Sequence, residues 1–250
     1  MSKASQSAFV PFPPDLVSVR LVRRLNRFAV EVEHMEAAGS PLLLHLPNSG
    51  RMRELLAEGA SGLATLSRGG AKRTEGTLLA VRYEGRWVCV DARMPNRLFE
   101  RCFTLQCLAP FGGYAGVRAE VPWGKGRVDF VLSAAGKPPF LVETKSCNLV
   151  EDGLALFPDA PTARGTRHLV ELAEAVRTGH RAAVVWFVQR DDATRLAPHR
   201  EADPAFARAL EKAIAAGVEA YAYRCRVSPE GIEVLDEIPV IAQAPRSSPT

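Results

Sequence analysis

The stretch 127–145 constrains the fold more than any other part of the chain. It consists of Arg-Val-Asp-Phe-Val-Leu, then Ser-Ala-Ala-Gly-Lys-Pro-Pro, then Phe-Leu-Val-Glu-Thr-Lys. Two short apolar runs rich in β-forming residues flank a loop rich in Gly and Pro, which predicts a β-hairpin. With the turn centred on Gly136, Asp129 faces Glu143 across the hairpin, and Lys145 lies two residues further along the same face.

Two facing carboxylates need a neutralising partner. Opposed side chains in an antiparallel pair have Cβ atoms about 4.5–5.5 Å apart, and like charges at that distance are destabilising. A hard cation such as Mg²⁺ binds one or two carboxylates and keeps its other positions for water and phosphate. Asp129 and Glu143 are therefore candidate metal ligands, and Lys145 is a candidate to orient a water or stabilise negative charge. The alternative is a solvated hairpin face on which Glu143 pairs with Lys145. The apolar run 140–142 instead favours a central strand.

Length and composition are those of an ordinary globular protein. The 250 residues are 47% hydrophobic and 24% charged, which suits one large or two ordinary domains. The longest apolar run, 182–188, is far shorter than the roughly 20 residues that span a bilayer, and the N-terminus carries no apolar signal region. Five scattered cysteines without a Cys-x-x-Cys pair suit neither a disulfide framework nor a zinc site. These features predict a cytoplasmic protein without membrane association. The oligomeric state stays open, a homodimer included.

The first third of the chain predicts a small β-barrel. Alternating apolar and polar residues over 16–34, with Asn26 near the turn, predict two strands. Further strands are predicted at 42–46, 62–66, 77–83 and 87–90. The last two are joined by Glu84-Gly85, a tight-turn signal. Five or six short strands in so short a stretch are typical of an oligonucleotide-binding (OB) barrel.

The same region carries the whole excess of positive charge. Residues 1–90 contain 12 Lys and Arg against 8 Asp and Glu, whereas residues 91–250 contain 20 of each. This asymmetry favours a polyanion partner for the barrel. Candidate contact residues lie around the first hairpin and in the loop 47–53: Arg20, Arg23, Arg24, Arg27, Asn48, Ser49, Arg51 and Arg53. The amides of 48–50 form either a phosphate cradle or a plain tight turn.

Aromatic side chains are sparse in this region. We expect Phe28, Tyr83 and Trp87 in the core or at the barrel rim rather than as platforms for nucleic-acid bases.

Helices and strands alternate past Asp91. A helix beginning near Pro95 turns Leu98 and Cys102 inward and carries Glu100. Further helices are predicted at 163–178 and 203–216, and further strands at 117–123, 128–132, 182–189, 218–227 and 232–235. The nearly all-apolar strand 182–189 is typical of a strand buried on both faces. We expect a flexible N-terminal tail over 1–13, domains over 14–90 and 91–243, and a disordered tail over 244–250.

Eight phrases in order along the chain resemble the sugar fermentation stimulation protein A (SfsA) family. They are Leu-Val-Arg-Arg-Leu-Asn-Arg-Phe (21–28), His-Leu-Pro-Asn-Ser-Gly-Arg-Met (45–52), Met-Pro-Asn-Arg-Leu (94–98), Arg-Val-Asp-Phe (127–130), Val-Glu-Thr-Lys (142–145), Phe-Pro-Asp-Ala-Pro-Thr-Ala-Arg-Gly (157–165), His-Leu-Val-Glu-Leu (168–172) and Phe-Val-Gln-Arg (187–190). The resemblance implies a two-domain α+β/α/β fold. Its N-terminal OB-like β-barrel is followed by a mixed sheet flanked by helices, similar to the PD-(D/E)XK nucleases. It also implies DNA as the partner, single- or double-stranded, bound with weak sequence specificity.

The resemblance also implies roles for single residues. The nuclease signature falls on Asp129, Glu143 and Lys145, with Glu100 as a helix-borne acid and Gln189 as a polar residue on the next buried strand. Mg²⁺ or Mn²⁺ would be held by Asp129, Glu143 and the carbonyl of Thr144. Arg164 and His168 are assigned to DNA contact, although a lone helical histidine is more often structural.

The chain departs from the family pattern at two places. Arg51 stands where a small hydroxyl residue is expected, and Ser146-Cys147-Asn148 replaces Asn-Val-Thr. These changes concern DNA contact and the surroundings of the metal, and they leave Asp129, Glu143 and Lys145 intact.

Three functions follow from these observations. The first is a DNA-binding, Mg²⁺- or Mn²⁺-dependent nuclease that hydrolyses phosphodiesters. The second is a non-enzymatic DNA-binding regulatory protein linked to sugar metabolism. The third is a metal-dependent enzyme that acts on a small phosphate ester. The intact Asp, Glu and Lys set favours the first.

Overall fold

A computed structural model describes residues 8–37, 39–67 and 73–242. Its first strand, β1 (Ala8–Pro11), pairs antiparallel with the last strand of the chain, and Ala8 and Val10 are buried. The prediction of a flexible tail over 1–13 is therefore wrong for residues 8–11. Their pairing partner lies at the other end of the chain, so local sequence gives little sign of it. Residues 1–7 and the predicted tail 244–250 lie outside the described residues.

Six strands between residues 16 and 89 form a barrel of five strands with a sixth strand attached. The strands are β2 (Leu16–Asn26), β3 (Ala29–His34), β4 (Leu42–His45), β5 (Ser61–Leu66), β6 (Gly76–Tyr83) and β7 (Arg86–Cys89). They pair in the order β4-β3-β2-β5-β6-β7, and parallel pairing of β4 with β6 closes the ring. Alternate residues of β2 and β3 point inward, so Val19 and Val32 are fully buried. Glu84 and Gly85 in the β6–β7 turn both have positive φ, as a two-residue hairpin loop requires.

The rest of the chain builds a seven-stranded mixed sheet flanked by helices. Its elements are α1 (Met94–Leu105), β8 (Gly116–Trp123), β9 (Gly126–Ser133), β10 (Phe140–Cys147), β11 (Val150–Glu151), β12 (Leu154–Phe157), α2 (Ala163–Arg177), β13 (Arg181–Val188), β14 (Arg195–Pro198), α3 (Pro204–Ala215), β15 (Glu219–Ser228) and β16 (Gly231–Ile238). The sheet order is β1-β16-β15-β13-β10-β9-β8, with β10, β13 and β15 parallel to one another. Strands β11, β12 and β14, which the sequence did not predict, form a separate sheet.

The helices begin where the sequence predicts. Asp203 caps α3 by accepting a hydrogen bond from the amide of Phe206 at 2.9 Å, and Thr162 caps α2 by accepting from Gly165 at 3.0 Å. Pro95 occupies the first turn of α1, where a missing N–H costs nothing. Within the described ranges, no helix has the length and apolarity to cross a membrane.

The two helices α1 and α2 cover opposite faces of the sheet. Phe99 of α1 packs in one core with Phe140 of β10, whereas Leu169 of α2 packs in another with Leu141 of β10. Alternation along β10 therefore turns Glu143 and Lys145, which follow Leu141 at even spacing, toward the α2 side.

The barrel and the sheet share a core. Leu79, Ala80 and Cys89 of the barrel belong to the same buried cluster as Phe99 of α1 and Phe130 of β9. Because this apolar contact is continuous, the loops at the edge of the junction are held in fixed positions, and they enclose the cleft described next.

Candidate metal and nucleic-acid cleft

Loops of both domains enclose a cleft of about 950 Å³. Its barrel wall includes the β2–β3 turn at Arg27 and Phe28 and the loop after β4 at 47–50. Its opposite wall is formed by 143–149 and by 156–165, the segment that leads into α2. Asp129, Glu143 and Lys145 all line this cleft.

The predicted hairpin register is confirmed. Strand β10 pairs with β9 so that Phe140 lies opposite Leu132 and Val142 opposite Phe130. Continued by one residue, this register sets Glu143 against Asp129. Glu143 is only 3% exposed. The hairpin face is therefore not the solvated surface that the simpler interpretation requires, even though Lys145 does contact Glu143.

Asp129 is held through one of its two carboxylate oxygens. Its Oδ2 accepts a hydrogen bond from the Thr144 amide at 2.7 Å and lies 3.0 Å from the Thr144 hydroxyl. That hydroxyl is 2.5 Å from Oδ1 of Asn96 on α1. Burial and then the nearby Glu143 charge raise the pKa of Asp129, against opposing effects of Lys145 and Thr144.

Glu143, like Asp129, is held through only one of its two carboxylate oxygens. Its Oε1 contacts both Nζ of Lys145 and Nδ1 of His168. Burial by itself would raise the pKa of Glu143, but Lys145 and His168 outweigh it and lower the pKa to about 2. Glu143 is thus ionised at neutral pH.

The internal contacts leave one oxygen on each carboxylate for a ligand. Among the described residues, Oδ1 of Asp129 and Oε2 of Glu143 have no hydrogen-bond or ion-pair partner. Two such oxygens suit a hard cation that takes its remaining ligands from water, main-chain oxygen and phosphate. No group of three or more His, Cys, Asp or Glu within the described ranges is arranged to hold a metal ion.

Two predicted site residues lie elsewhere. Glu100 is exposed on α1 and does not line the cleft, and Asn96, one turn earlier, is the α1 residue that reaches the site. Gln189 is fully buried just past the end of β13, where its backbone N–H donates to the backbone oxygen of Cys147 at 2.8 Å. Both polar atoms of its side chain lack a partner among the described residues. Gln189 does not line the cleft that contains Glu143 and Lys145.

Eight of the ten residues predicted to contact DNA divide into two groups. Arg27, Asn48, Ser49 and Arg164 line the cleft, whereas Arg20, Arg23, Arg51 and Arg53 are exposed outside it. Arg23 pairs with Glu31 at 2.6 Å.

Arg24 and the loop 47–50 make hydrogen bonds within the chain. Arg24 donates to the backbone oxygens of Gly50 at 2.8 Å and of Arg51. The amides of Asn48 and Gly50 are also used within the chain, by Leu46 at 2.8 Å and by the Asn48 side chain at 2.9 Å. The loop is therefore a tight turn, and two of its three amides are not free to cradle a phosphate.

His168 is not a DNA-contact residue. It is 4% exposed on the inner face of α2 and contacts Glu143. The assignment of His168 to DNA contact is therefore wrong, because the ring is buried and its two nitrogens contact Glu143 and Arg164.

Besides Asn96, sequence reasoning did not assign Phe28, Asp159 and Glu120 to the cleft. Phe28 is 51% exposed at the tip of the β2–β3 hairpin, next to Arg27. Among the exposed large hydrophobic residues of the described chain, Phe28 alone lines the cleft. Asp159 accepts a hydrogen bond from the Met52 amide at 3.0 Å and so joins the two walls. Glu120 lines the cleft from β8 with a positive φ of 52°. Asp159 lies within one of the family-like phrases, but only the folded chain shows what it contacts.

The folded chain combines an OB-like barrel with a mixed sheet flanked by helices, as the predicted fold class requires. Residues 22–90 match the family model described as the SfsA N-terminal OB domain, and residues 93–231 match the sugar fermentation stimulation protein RE domain. The chain belongs to the sugar fermentation stimulation protein (SfsA) family.

Relatives match over nearly their whole length. A sugar fermentation stimulation protein homolog of Moorella thermoacetica is 43% identical over 232 residues, which cover 92% of this chain and 99% of that protein. A homolog of Symbiobacterium thermophilum is 45% identical over 233 residues, 88% of this chain and 92% of that protein. The solved structure of Pyrococcus furiosus SfsA in complex with Ca²⁺ superposes with a TM-score of 0.84 at 29% identity, covering 93% of this chain and 98% of that one.

Proposed function

We propose that this protein is a divalent-metal-dependent phosphodiesterase that acts on DNA. The observation that carries the proposal is the buried pair Asp129 and Glu143, each with one oxygen fixed internally and the other available in the cleft. The solved structure of the Pyrococcus furiosus relative is a complex with Ca²⁺, which supports the binding of a divalent cation by this chain.

Asp129 and Glu143 would hold Mg²⁺ or Mn²⁺, with the carbonyl of Thr144 as a third ligand. When bound, the ion would polarise the scissile phosphate and lower the pKa of a water molecule. Lys145 orients the attacking water and donates to oxygens on which negative charge develops. The water oxygen bonds to phosphorus as the P–O bond to the leaving strand breaks; the attacking water loses a proton to solvent, and the leaving oxygen takes up a proton from solvent to become a hydroxyl.

The cleft also supplies contacts for a DNA strand. Arg164 on one wall and Arg27 on the other are exposed cations suited to phosphate oxygens. Phe28 beside Arg27 offers an apolar ring on which an unpaired base can stack. These contacts do not discriminate between sequences, which fits weak sequence specificity.

The direct test is incubation of the wild-type protein with end-labelled single- and double-stranded DNA, with Mg²⁺, Mn²⁺ or a chelator. We expect cleavage that requires the metal and is abolished by Asp129→Asn. The matched control is Asp152→Asn, since Asp152 is exposed in the β11–β12 turn and Asn tolerates its positive φ of 47°.

The assay also separates the other two functions. DNA retention without cleavage at any metal concentration would favour the non-enzymatic regulatory protein. Hydrolysis of a small phosphate ester without cleavage of DNA would favour the third function.

A further inference from the structure

His168 is buried and lies between two charged residues of the cleft. Its Nδ1 contacts Oε1 of Glu143, and its Nε2 lies 3.3 Å from Nε of Arg164. Arg164 and His168 are four residues apart on α2 and therefore share one face of the helix. His168 is 4% exposed, whereas Arg164 is exposed and lines the cleft.

The chemistry of Arg164 fixes the direction of these hydrogen bonds. A guanidinium nitrogen can only donate, so Nε2 of His168 must accept. In a neutral imidazole the other nitrogen then carries the hydrogen, and Nδ1 donates to the Glu143 carboxylate.

We propose that Arg164, His168 and Glu143 form a positioning chain for the metal-binding carboxylate. Arg164 selects the tautomer of His168, and His168 with Lys145 fixes Oε1 of Glu143, which leaves Oε2 for the cation. His168 and Arg164 are positioning residues in this scheme, since neither contacts the ion. The inference rests on the proposed function, because it assumes that Asp129 and Glu143 hold a divalent cation.

The chain also connects the metal site to the DNA strand. The two terminal nitrogens of Arg164 have no hydrogen-bond or ion-pair partner among the described residues and are available to a phosphate in the cleft. A phosphate held there restrains the same guanidinium that orients His168. Partners of ligating groups typically contribute 10- to 100-fold to metal affinity or activity.

Two amide substitutions test the roles of the two ring nitrogens of His168 separately. In His168→Asn the side-chain amide nitrogen stands near the position of Nδ1 and can still donate to Glu143, but the acceptor for Arg164 is lost. In His168→Gln the amide stands near the position of Nε2, and the donor to Glu143 is lost. Both variants replace an aromatic ring by an amide, so each is a packing control for the other.

Calorimetric titration with Mn²⁺, in the absence of DNA, tests the chain. We expect His168→Gln to bind Mn²⁺ about 10- to 100-fold more weakly than wild type and His168→Asn to stay much closer to wild type. With labelled DNA, His168→Gln should lower kcat and leave KM nearly unchanged, since His168 does not touch the strand. Thermal melts without metal establish that both variants are folded.

The outcomes test the positioning chain and the metal site separately. If wild type binds Mn²⁺ and His168→Gln binds it equally well, the positioning chain is wrong and the metal site stands. If His168→Asn loses as much affinity as His168→Gln, the histidine serves packing only and the chain is again wrong. If wild type binds no Mn²⁺, the metal site fails and the chain fails with it.

Discussion

At the scale of single residues, the surroundings in the cleft shift the pKa values of two neighbouring carboxyl groups in opposite directions. Burial and the charge of Glu143 raise the pKa of Asp129, whereas Lys145 and His168 overcome burial and lower that of Glu143 to about 2. Buried charges are weak contributors to stability because desolvation offsets their attraction. Perturbed carboxyl groups are instead frequent at functional sites. This arrangement is therefore better explained by ligand binding than by stability.

A third carboxyl group, Glu54, gives a pH prediction away from the metal site. Burial raises its pKa, with further raising by Asp159 and Glu151 and a lowering effect of Arg190. The folded protein therefore holds the Glu54 proton more tightly than the unfolded chain. Its contribution to stability is fully present below the ordinary glutamate pKa of about 4.3 and is lost as pH rises through the raised value.

Glu54→Gln removes this pH-dependent loss. We expect its melting temperature, relative to wild type, to improve as pH rises from 4 through the raised pKa of Glu54 and to change no further above it. Thermal melts across this range, with exposed Glu58→Gln as the control, provide the measurement. A difference that is constant with pH would show that Glu54 ionises normally in the folded state.

At the scale of elements, the tip of the β2–β3 hairpin is the exposed apolar part of the cleft. Backbone atoms hold Phe28 in place, since its oxygen accepts from the Leu46 amide at 2.8 Å and its amide donates to the Asn26 side chain at 2.8 Å. The ring itself remains half exposed. A ring held on a fixed backbone loses little conformational freedom when a base stacks on it.

We expect Phe28→Ala to weaken binding of a single-stranded oligonucleotide by roughly 5- to 150-fold, which corresponds to about 1–3 kcal/mol of stacking. Phe28→Trp should retain affinity. Leu25→Ala is the control, because Leu25 is 45% exposed on the same hairpin but does not line the cleft. Fluorescence anisotropy at fixed salt measures the affinities. Equal loss in Phe28→Ala and Leu25→Ala would remove the hairpin tip from the binding site.

Secondary-structure elements that are determined by residues close in the sequence could be predicted from it. The β9–β10 register follows from one turn with Gly136 at positive φ, and α3 follows from Asp203, Pro204 and Gly217. Strand β1 could not be predicted, because its four residues acquire order only from β16. The contact of His168 with Glu143 likewise depends on how α2 packs on the sheet. Glu100 and Gln189 were assigned from family resemblance, and neither of them lines the cleft in the folded chain.

At the scale of the whole molecule, the barrel and the sheet are expected to unfold together. Their shared core includes Phe99, whose ring lies 4.8 Å from that of Phe130 and 5.1 Å from that of Phe111. We expect a single calorimetric transition. Phe99→Ala should lower stability by about 3–5 kcal/mol without splitting that transition. Val170→Ala, at a 57% exposed position, is the control. Two separate transitions in wild type would contradict a continuous core.

The metal pair is the central claim, and thermal melting with and without Mn²⁺ tests it most directly. A cation that binds only the folded protein stabilises it by about 2.7 kcal/mol at 100 times its Kd. We predict that Mn²⁺ raises the melting temperature of wild type and leaves that of Asp129→Asn nearly unchanged. Without metal, Asp129→Asn should melt slightly above wild type, because one of two facing charges is gone. Equal gains with Mn²⁺ in both proteins, or no gain in either at saturating metal, would contradict the site.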